Sequence, residues 1–366
     1  MRWTRTITFQ NLQTPVFYAY SHFILPSSSF MHLSIGIVGL PNVGKSTLFK
    51  TLTSQEILIA NYEFATIDKN VGIVAVPDER LQVLSKMSNS AKTIPAVVEF
   101  YDIAGLVKGA ATEGAGLGNK FLSHIRETNA IVQVVRCFSN PEIIRNQHST
   151  DPATDIDIIN TELALKDLDT ITKRIPKAES DSHRPGKEGV DAKKEVEVLR
   201  QIEEKLSQGQ SLLDFSDNEV VKNLALLSAK PKFYLLNGKE EDVGQEVKDK
   251  IAQEGNDFVI ADLSNPETIP DVIKKAYEIL GLISFFTTGE DETRAWTIVK
   301  DSSAPVAAGA IHTDFQNKFI RAEVVGYTDF VATGGWSQSR QTGKLRVEGK
   351  EYIVKDGDIL VIRHAP

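Results

Sequence analysis

Hydrophobic positions along this chain change their spacing from one region to the next. Leu33-Ser34-Ile35-Gly36-Ile37-Val38 is a short apolar run with β-branched residues, the pattern of a strand buried on both faces. It ends in glycine and proline and passes into a helix-like stretch, Lys45–Leu52. Short apolar runs recur at Val97–Tyr101, Ala130–Cys137, Lys232–Leu236 and Asp257–Ala261, with helical patterns at Asn119–Glu127 and Pro270–Leu280 among them. Strands alternating with helices predict a mainly parallel sheet covered on both faces.

Between Asp155 and Leu227 the alternation stops. Ile159, Leu163, Leu168, Ile171 and Ile175 keep helical spacing, and Ala192, Val196, Leu199, Ile202 and Leu206 repeat it across a polar stretch, Lys177–Gly189. This predicts a helical hairpin inserted into the first fold, its two apolar stripes packed on each other in preference to a partner. After Gly281 the style changes again. Phe285–Gly289, Arg294–Val299, Phe319–Val325 and Tyr352–Ile362 read as strands, and Asp356-Gly357-Asp358 as a turn. The expected division is an extension at 1–30, a nucleotide-binding domain at 31–140 and 229–282, a helical domain at 141–228 and a β-rich domain at 283–366.

The extension stands apart because it holds Arg2 and Arg5, no acidic residue and the run Ser27-Ser28-Ser29. It fits a transit peptide or, more simply, residues upstream of a true start at Met31. The net charge of -8 excludes coating of nucleic acid by bulk electrostatics, so an RNA contact must come from a local patch. A single cysteine, Cys137, excludes a disulfide framework and a cysteine-based metal site. No apolar run is long enough to span a bilayer, and the seven histidines show no metal-ligand spacing. His124 reads as structural.

The chemistry gathers at strand ends. Gly39-Leu40-Pro41-Asn42-Val43-Gly44-Lys45-Ser46 follows a strand and opens a helix, the context a phosphate-binding loop requires. Its glycines let backbone N–H groups turn toward phosphate oxygens, and the helix N-terminus adds positive potential. Asn42, Val43, Gly44, Lys45, Ser46 and Thr47 are the candidate phosphate contacts, with Lys45 reaching the terminal phosphates and Ser46 a ligand of Mg²⁺. Asp102-Ile103-Ala104-Gly105 closes the strand at Val97–Tyr101, placing Asp102 to hold Mg²⁺ through water and Gly105 to sense the γ-phosphate. Thr66, between these motifs, is the candidate switch threonine, sensing the γ-phosphate and ligating Mg²⁺. Leu106 stands where Ras-like enzymes keep a water-orienting glutamine, so the catalytic group is not given by this motif. Lys108–Gly118 is glycine-rich and reads as a switch loop. Asn237-Gly238-Lys239-Glu240 follows another strand, where a guanine reader carries Asn-Lys-x-Asp. The longer Glu240 carboxylate is badly placed for the paired guanine contact, so guanine preference is expected to be lost.

With these residues assembled, the chain resembles the Obg-like ATPase family, YchF type. The resemblance is carried by Gly36–Phe49, Asp102–Ala110, Gly116–Asn119, Arg136-Cys137-Phe138 and Asn160–Ala164, and near the end by Arg294–Thr297, Ile311–Phe315, Phe319–Glu323 and Tyr352–Asp358. It runs from about Met31 to the C-terminus. It implies an α/β P-loop NTPase of the TRAFAC type with an inserted helical hairpin domain and a C-terminal TGS domain of β-grasp type. It also implies Mg²⁺-dependent ATP hydrolysis, with ATP favoured over GTP through Asn237, Gly238 and Glu240. The implied partner is the ribosome (large subunit or 70S) and its RNA, in translation or stress regulation, for a monomeric cytoplasmic protein that needs no membrane. The sequence departs from the family at Glu63, where proline is usual, and in a glycine loop one residue longer. The family's histidine after Cys-Phe is replaced by Arg145, with His148 nearby, and the last base-contacting motif is a poor match at Ile260–Ser264. A GTPase translation factor of the same fold and a nucleotide-gated binding module with negligible turnover remain the alternatives. In the last region, Lys318 with Arg321 and Lys344 with Arg346 lie near Phe315, Phe319 and Tyr327. Spacing alone reads these as a solvated strand face; the resemblance favours a contact with RNA.

Overall fold

Short β-branched runs bounded by Gly, Pro and Asp supply the strands, and the computed structural model describes residues 33–54, 70–103, 124–140, 151–216 and 218–366. Thr66, Gly105, Leu106, Arg145, His148, Glu63, the extension at 1–30 and the loop Lys108–Gly118 lie outside the described residues. In chain order, β1 (Ser34–Val38) leads through the Gly39–Gly44 loop into α1 (Lys45–Ser54), and β2 (Val71–Ala75), α2 (Glu79–Ser88) and β3 (Lys92–Ile94) precede β4 (Val97–Asp102) and β5 (Ala130–Arg136). Two long helices, α3 (Pro152–Asp181) and α4 (Lys187–Ser207), with the short α5 (Glu219–Leu224), separate β5 from β6 (Lys232–Asn237). Then come α6 (Gln245–Gln253), β7 (Asp257–Ala261) and α7 (Ile269–Ile279).

These strands form one six-stranded sheet in the order β2-β4-β1-β5-β6-β7. All neighbours are parallel except β2, which runs antiparallel at one edge. β1 and β5 are buried at every position, as uninterrupted apolar runs require at the centre of a parallel sheet. Between β5 and β6, α3 begins on an Asp151 cap whose carboxylate accepts from the Thr154 N–H, with Pro152 in the first turn. It continues through Pro176 to Asp181, further than the polar composition after 177 predicts. Packing carries it: Ile171, Ile175 and Ala178 share a core with Leu199, Ile202 and Leu206 of α4. Ion pairs Arg174–Glu195 at 2.6 Å and Arg200–Glu179 at 2.8 Å flank the seam.

Buried polar groups fasten these helices to the sheet. Asp167, fully buried, accepts from the Leu227 and Ser228 backbone N–H groups at 2.9 and 2.7 Å and from the Ser228 hydroxyl. Asn160 bonds Glu254 at 3.0 Å and accepts from Lys232 at 2.8 Å, and Tyr234 donates to the other oxygen of Glu254 at 2.5 Å. Satisfied networks of this kind specify one arrangement of α3 on the strands.

The last third builds a second sheet from β8 (Leu282–Thr288), β9 (Glu292–Val299), β10 (Phe319–Gly326), β11 (Arg346–Glu348) and β12 (Asp358–His364). It also contains four helices: α8 (Ala304–Ile311), α9 (Thr313–Asn317), α10 (Tyr327–Thr333) and α11 (Trp336–Gln341). The strand-like reading of this region missed them because Ala304–Ile311 has no polar stripe and the others are too short for periodicity to register. The sheet order is β11-β10-β12-β8-β9-β3, so its last strand comes from the first half of the chain. β3 pairs parallel with β9, from Lys92↔Glu292 to Ile94↔Arg294. Hydroxyls seal the junction: Ser85 with Thr93 at 2.6 Å, Ser90 with Thr293 at 2.7 Å and Thr288 with Ser88 at 2.8 Å. Arg80, on α2, pairs with Asp78 at 2.8 Å and with Asp356 at 2.6 Å and lies over the Phe286 ring.

One hydrophobic cluster therefore runs through both sheets, joining Leu81 and Leu84 of α2 to Phe286, Ala295, Val325, Phe330 and Ile359 as well as to the strands around β1. Replacing the fully buried Phe286 by Ala is expected to cost about 3–5 kcal/mol. Because the cluster is continuous, backbone ellipticity and the fluorescence of Trp296 and Trp336, both in the second-sheet region, should shift together in a urea titration. A shift of the fluorescence transition alone would show that the sheets unfold separately.

Candidate functional site

At the carboxyl end of the first sheet, β1 and β4 finish side by side, with Ile37 opposite Asp102 in register. Ligands of open parallel sheets bind beyond these ends. The chain leaving β1 can only make its turn with glycine at two places. Gly39 has φ +149°, and a Cβ there would stand 2.5 Å from the Val134 carbonyl oxygen. Gly44 has φ +111°, and a Cβ there would stand 2.4 Å from Nδ2 of Asn237. Asn42 between them is also left-handed, at φ 63°. The result is a loop wrapped over the N-terminus of α1, with Ser46 and Thr47 exposed in the first turn and Val43 buried beneath. Exposed hydroxyls beside free helix N–H groups form a receptor for anions.

Lys45 points back along this loop and donates to the Leu40 carbonyl at 2.6 Å. Its pKa falls from 10.5 to about 8 because burial disfavours the ammonium, a penalty the Asp102 carboxylate partly opposes. Asp102 is only 7% exposed, and its Oδ1 is buried without a hydrogen-bond partner among the described residues. A carboxylate oxygen withheld from both water and protein donors is costly unless a cation or a bound water meets it. Its backbone N–H is spent on the Asn70 carbonyl at 3.0 Å. The structure thus brings Lys45, Ser46, Thr47 and Asp102 to one strand end. Thr66 and Gly105 lie outside the described residues, and no group of three or more His, Cys, Asp or Glu among the described residues has metal-binding geometry.

Asn237, Gly238 and Glu240, expected from the sequence to contact the base, have these surroundings within the protein. Asn237, at the end of β6, is 5% exposed and uses both ends of its amide on the protein. Nδ2 donates to the Val43 carbonyl at 2.8 Å, and Oδ1 accepts from the Leu263 N–H at 3.3 Å. It is a brace that ties the phosphate loop to the segment after β7. Leu263, in the stretch that matched its motif poorly, is the partner that sequence reasoning missed; its backbone role leaves no side-chain signal. Gly238 packs tightly, with the Phe138 N and the Asp242 side chain each 3.2 Å from where a Cβ would stand. Glu240 is solvent-facing and pairs through Oε1 with Lys248 of α6 at 2.6 Å.

Two family models match the chain. One, described as a 50S ribosome-binding GTPase, covers residues 34–172; the YchF-GTPase C-terminal model, described as a protein of unknown function, covers 282–365. The ribosome-binding ATPase YchF of Bacillus subtilis (strain 168) is 43% identical over 367 residues, covering 91% of this chain and 99% of its own. The chain belongs to the YchF family. The ribosome-binding ATPase YchF of Escherichia coli O157:H7 is likewise 43% identical over 361 residues, covering 90% and 98%. The solved structure of the Schizosaccharomyces pombe YchF GTPase superposes with a TM-score of 0.81 at 36% identity, covering 91% of this chain and 98% of that one. The fold is α/β with a P-loop GTPase-type domain, and the chain is of the nucleotide-hydrolase class. Names within the family divide between ATPase and GTPase. No helix among the described residues is long and apolar enough to cross a membrane.

If Asn237 braces the phosphate loop, Asn237→Ala should free the Val43 carbonyl and loosen the turn without removing any phosphate contact. The expected loss is about 1–2 kcal/mol of stability and roughly tenfold in Mg-nucleotide affinity, read by urea titration and by a fluorescent nucleotide analogue. Unchanged affinity in the folded variant would show that the loop holds its shape without the brace.

Proposed function

We propose that this YchF-family chain is a Mg²⁺-dependent ATPase that works as a nucleotide-gated switch on the ribosome, regulating translation or the stress response. The observation that carries the reading is the buried Oδ1 of Asp102, without a partner among the described residues, beside a desolvated Lys45 and the exposed Ser46 hydroxyl. These residues fit a magnesium triphosphate: Ser46 would hold Mg²⁺ directly and Asp102 through water, with Thr66 the further ligand proposed from the sequence. The bound Mg²⁺ would neutralise charge on the β and γ phosphates. Lys45 would leave the Leu40 carbonyl for the terminal phosphates, and the amides of Asn42 to Thr47 would orient them. Gly105 would report the γ-phosphate. Leu106 brings no water-orienting group, so Arg145 or His148 is proposed for that role.

The base preference rests on Glu240. Guanine offers two adjacent donors that suit both oxygens of a short aspartate, whereas adenine offers one exocyclic amino group. With Lys248 on Oε1, Glu240 presents a single remaining oxygen, which suits adenine. GTP is the second reading, favoured by the description of the model matched at 34–172. The two long helices are proposed as a helical domain within 141–228 and the second sheet as a TGS domain of β-grasp type within 283–366, with β3 lent to it by the nucleotide-binding part at 31–140 and 229–282. The relatives' names support the ribosome as partner, and the description of the model matched at 34–172 supports its large subunit; the 70S particle is the other form proposed from the sequence. A monomer working in the cytoplasm completes the proposal.

Competition between ATP and GTP for the purified protein tests the base. ATP should bind at least as tightly as GTP, and a tenfold preference for GTP, about 1.4 kcal/mol, would reverse the reading. Lys45→Ala should weaken Mg-nucleotide binding by about 2–3 kcal/mol, and near-normal affinity of the folded variant would remove Lys45 from the site.

The depressed pKa of Lys45 adds a pH signature. Free protein releases this proton near pH 8, and incoming phosphates favour the ammonium, so binding at pH 8.5 should take up roughly half a proton or more. Affinity should fall as pH rises above 8. Calorimetry at pH 8.5 in two buffers of different ionisation enthalpy reads the uptake, and equal heats in both would contradict it.

A further inference from the structure

Asn237 gathers more than the phosphate loop. The turns that follow β5, β6 and β7 all close around it. The Cys137 and Phe138 N–H groups donate to its carbonyl at 3.0 and 3.1 Å, and the neighbouring Gly238 N–H donates to the Ala261 carbonyl at 3.2 Å. With the Leu263 N–H on Oδ1 of Asn237, the turn after β7 is tied on both sides of one residue, Asp262. Leu263 is buried and reaches the phosphate loop, its Cδ1 standing 3.1 Å from where a Cβ on Gly44 would lie. Asp262 is therefore fixed beside Gly238-Lys239-Glu240, on the rim where the base contacts of the ATP reading lie.

The Asp262 carboxylate is half used. Oδ1 accepts from the Ser264 N–H at 2.9 Å and from the Ser264 hydroxyl at 2.5 Å. The Asp262 carbonyl accepts from the Asn265 N–H at 2.8 Å and the Thr268 hydroxyl at 3.1 Å, so side chain and turn are held together. Oδ2 takes no hydrogen bond among the described residues, and the residue is half-buried. The Ser264 bonds hold the carboxyl below the usual aspartate range, with a further pull from Lys239, so the group is an anion at neutral pH. An ionised carboxylate can only accept. Purines differ in sign at the 6-position: adenine carries an amino donor, guanine a carbonyl acceptor. Glu240 alone discriminates weakly, because it is exposed, has the longer side chain and is already paired with Lys248. Asp262 is shorter and immobilised, and it falls in the stretch Ile260–Ser264 where the sequence departs from the family's pattern.

We propose that Asp262 is a specificity-determining residue, its Oδ2 accepting from the 6-amino group of adenine and repelling the 6-carbonyl of guanine or hypoxanthine. Specificity of this kind comes as much from the repulsion as from the new bond. A preset acceptor also spares the cost of ordering a flexible side chain when the base arrives. The proposal rests on the reading of this site as an ATP site, but it concerns the 6-position alone and is tested apart from that reading.

The full chain is titrated with Mg-ATP, Mg-GTP and Mg-ITP, and with Mg-tripolyphosphate, each in competition with a fluorescent nucleotide analogue. ITP differs from ATP only in the 6-carbonyl and the ring N–H that accompanies it. Asp262→Asn is the decisive variant, because its amide keeps an acceptor for Ser264 and puts a donor in place of Oδ2; Asp262→Ala removes both. Asp249→Asn, at an exposed position of α6, is the charge-matched control. The parent should bind ATP roughly tenfold more tightly than ITP. Asp262→Asn should bring ITP level with ATP or ahead of it, and Asp262→Ala should narrow the ratio. Tripolyphosphate affinity and the control should be unchanged. A parent that binds GTP more tightly than ATP, yet whose preference for ATP over ITP collapses in Asp262→Asn, upholds the role of Asp262 and removes the ATP reading. An ATP to ITP ratio unchanged in Asp262→Asn overturns the proposal. So does an equal loss of all three nucleotides and tripolyphosphate, which would make Asp262 a support of the turn only.

Discussion

An ammonium and a carboxylate held out of water at the same strand end set the terms for the rest of this molecule. Lys45 and Asp102 each lose hydration on folding, and the described residues return only part of it: one carbonyl to Lys45, and nothing to Oδ1 of Asp102. The loop geometry, the two glycines and the Asn237 brace hold this unfinished arrangement in place. Without that support the lysine would turn toward solvent and the loop would relax. The folded chain thus stores an electrostatic deficit that a divalent cation and a polyphosphate are chemically suited to remove. Such preorganisation is what makes charge stabilisation effective when the phosphoryl group is transferred.

The phosphate loop was legible in the sequence because its determinants are contiguous: a strand, two glycines at fixed spacing, a lysine and a helix start. The strands that carry Asp102 and Asn237 were legible for the same reason. The brace itself was not, since it joins positions 194 residues apart and one of its partners, Leu263, contributes only backbone. β2 and α2 escaped although they are as long as β1 and α1: β2 is an edge strand buried only at alternate positions, without the uninterrupted apolar run that marks a central strand; β3 has only three residues, and its pairing strand lies some two hundred positions later. Arg321 was singled out in the sequence, but that it stands opposite Arg363, and that Glu323 accepts from Arg340 and Arg363, depends on strand register and on α11, which periodicity does not reveal. Conversely, Lys344 and Arg346 looked free in one dimension and are paired in three.

The two polar networks under α3 serve a different purpose from the nucleotide site. At the site, groups are left short of partners. Around Asp167 and Glu254, nearly every donor and acceptor is matched, which makes the placement of the long helices on the sheet a single, well-determined state. Lys230 extends this matching by donating to the Arg126 carbonyl at 3.1 Å, just before β5.

The crossing of β3 into the second sheet bears on how such a chain can be inherited. Genes are often cut and joined at the borders between folding units, and here the obvious border falls just before Leu282. A recombinant that kept residues up to that point would carry Lys92–Ile94 as a strand with nothing to pair, and Leu81 and Leu84 facing water. A recombinant that acquired the later part alone would have β9 as a bare edge, open to pairing with other chains. Neither piece is a good donor or recipient, so the lineage is constrained to transmit both parts as one heritable unit.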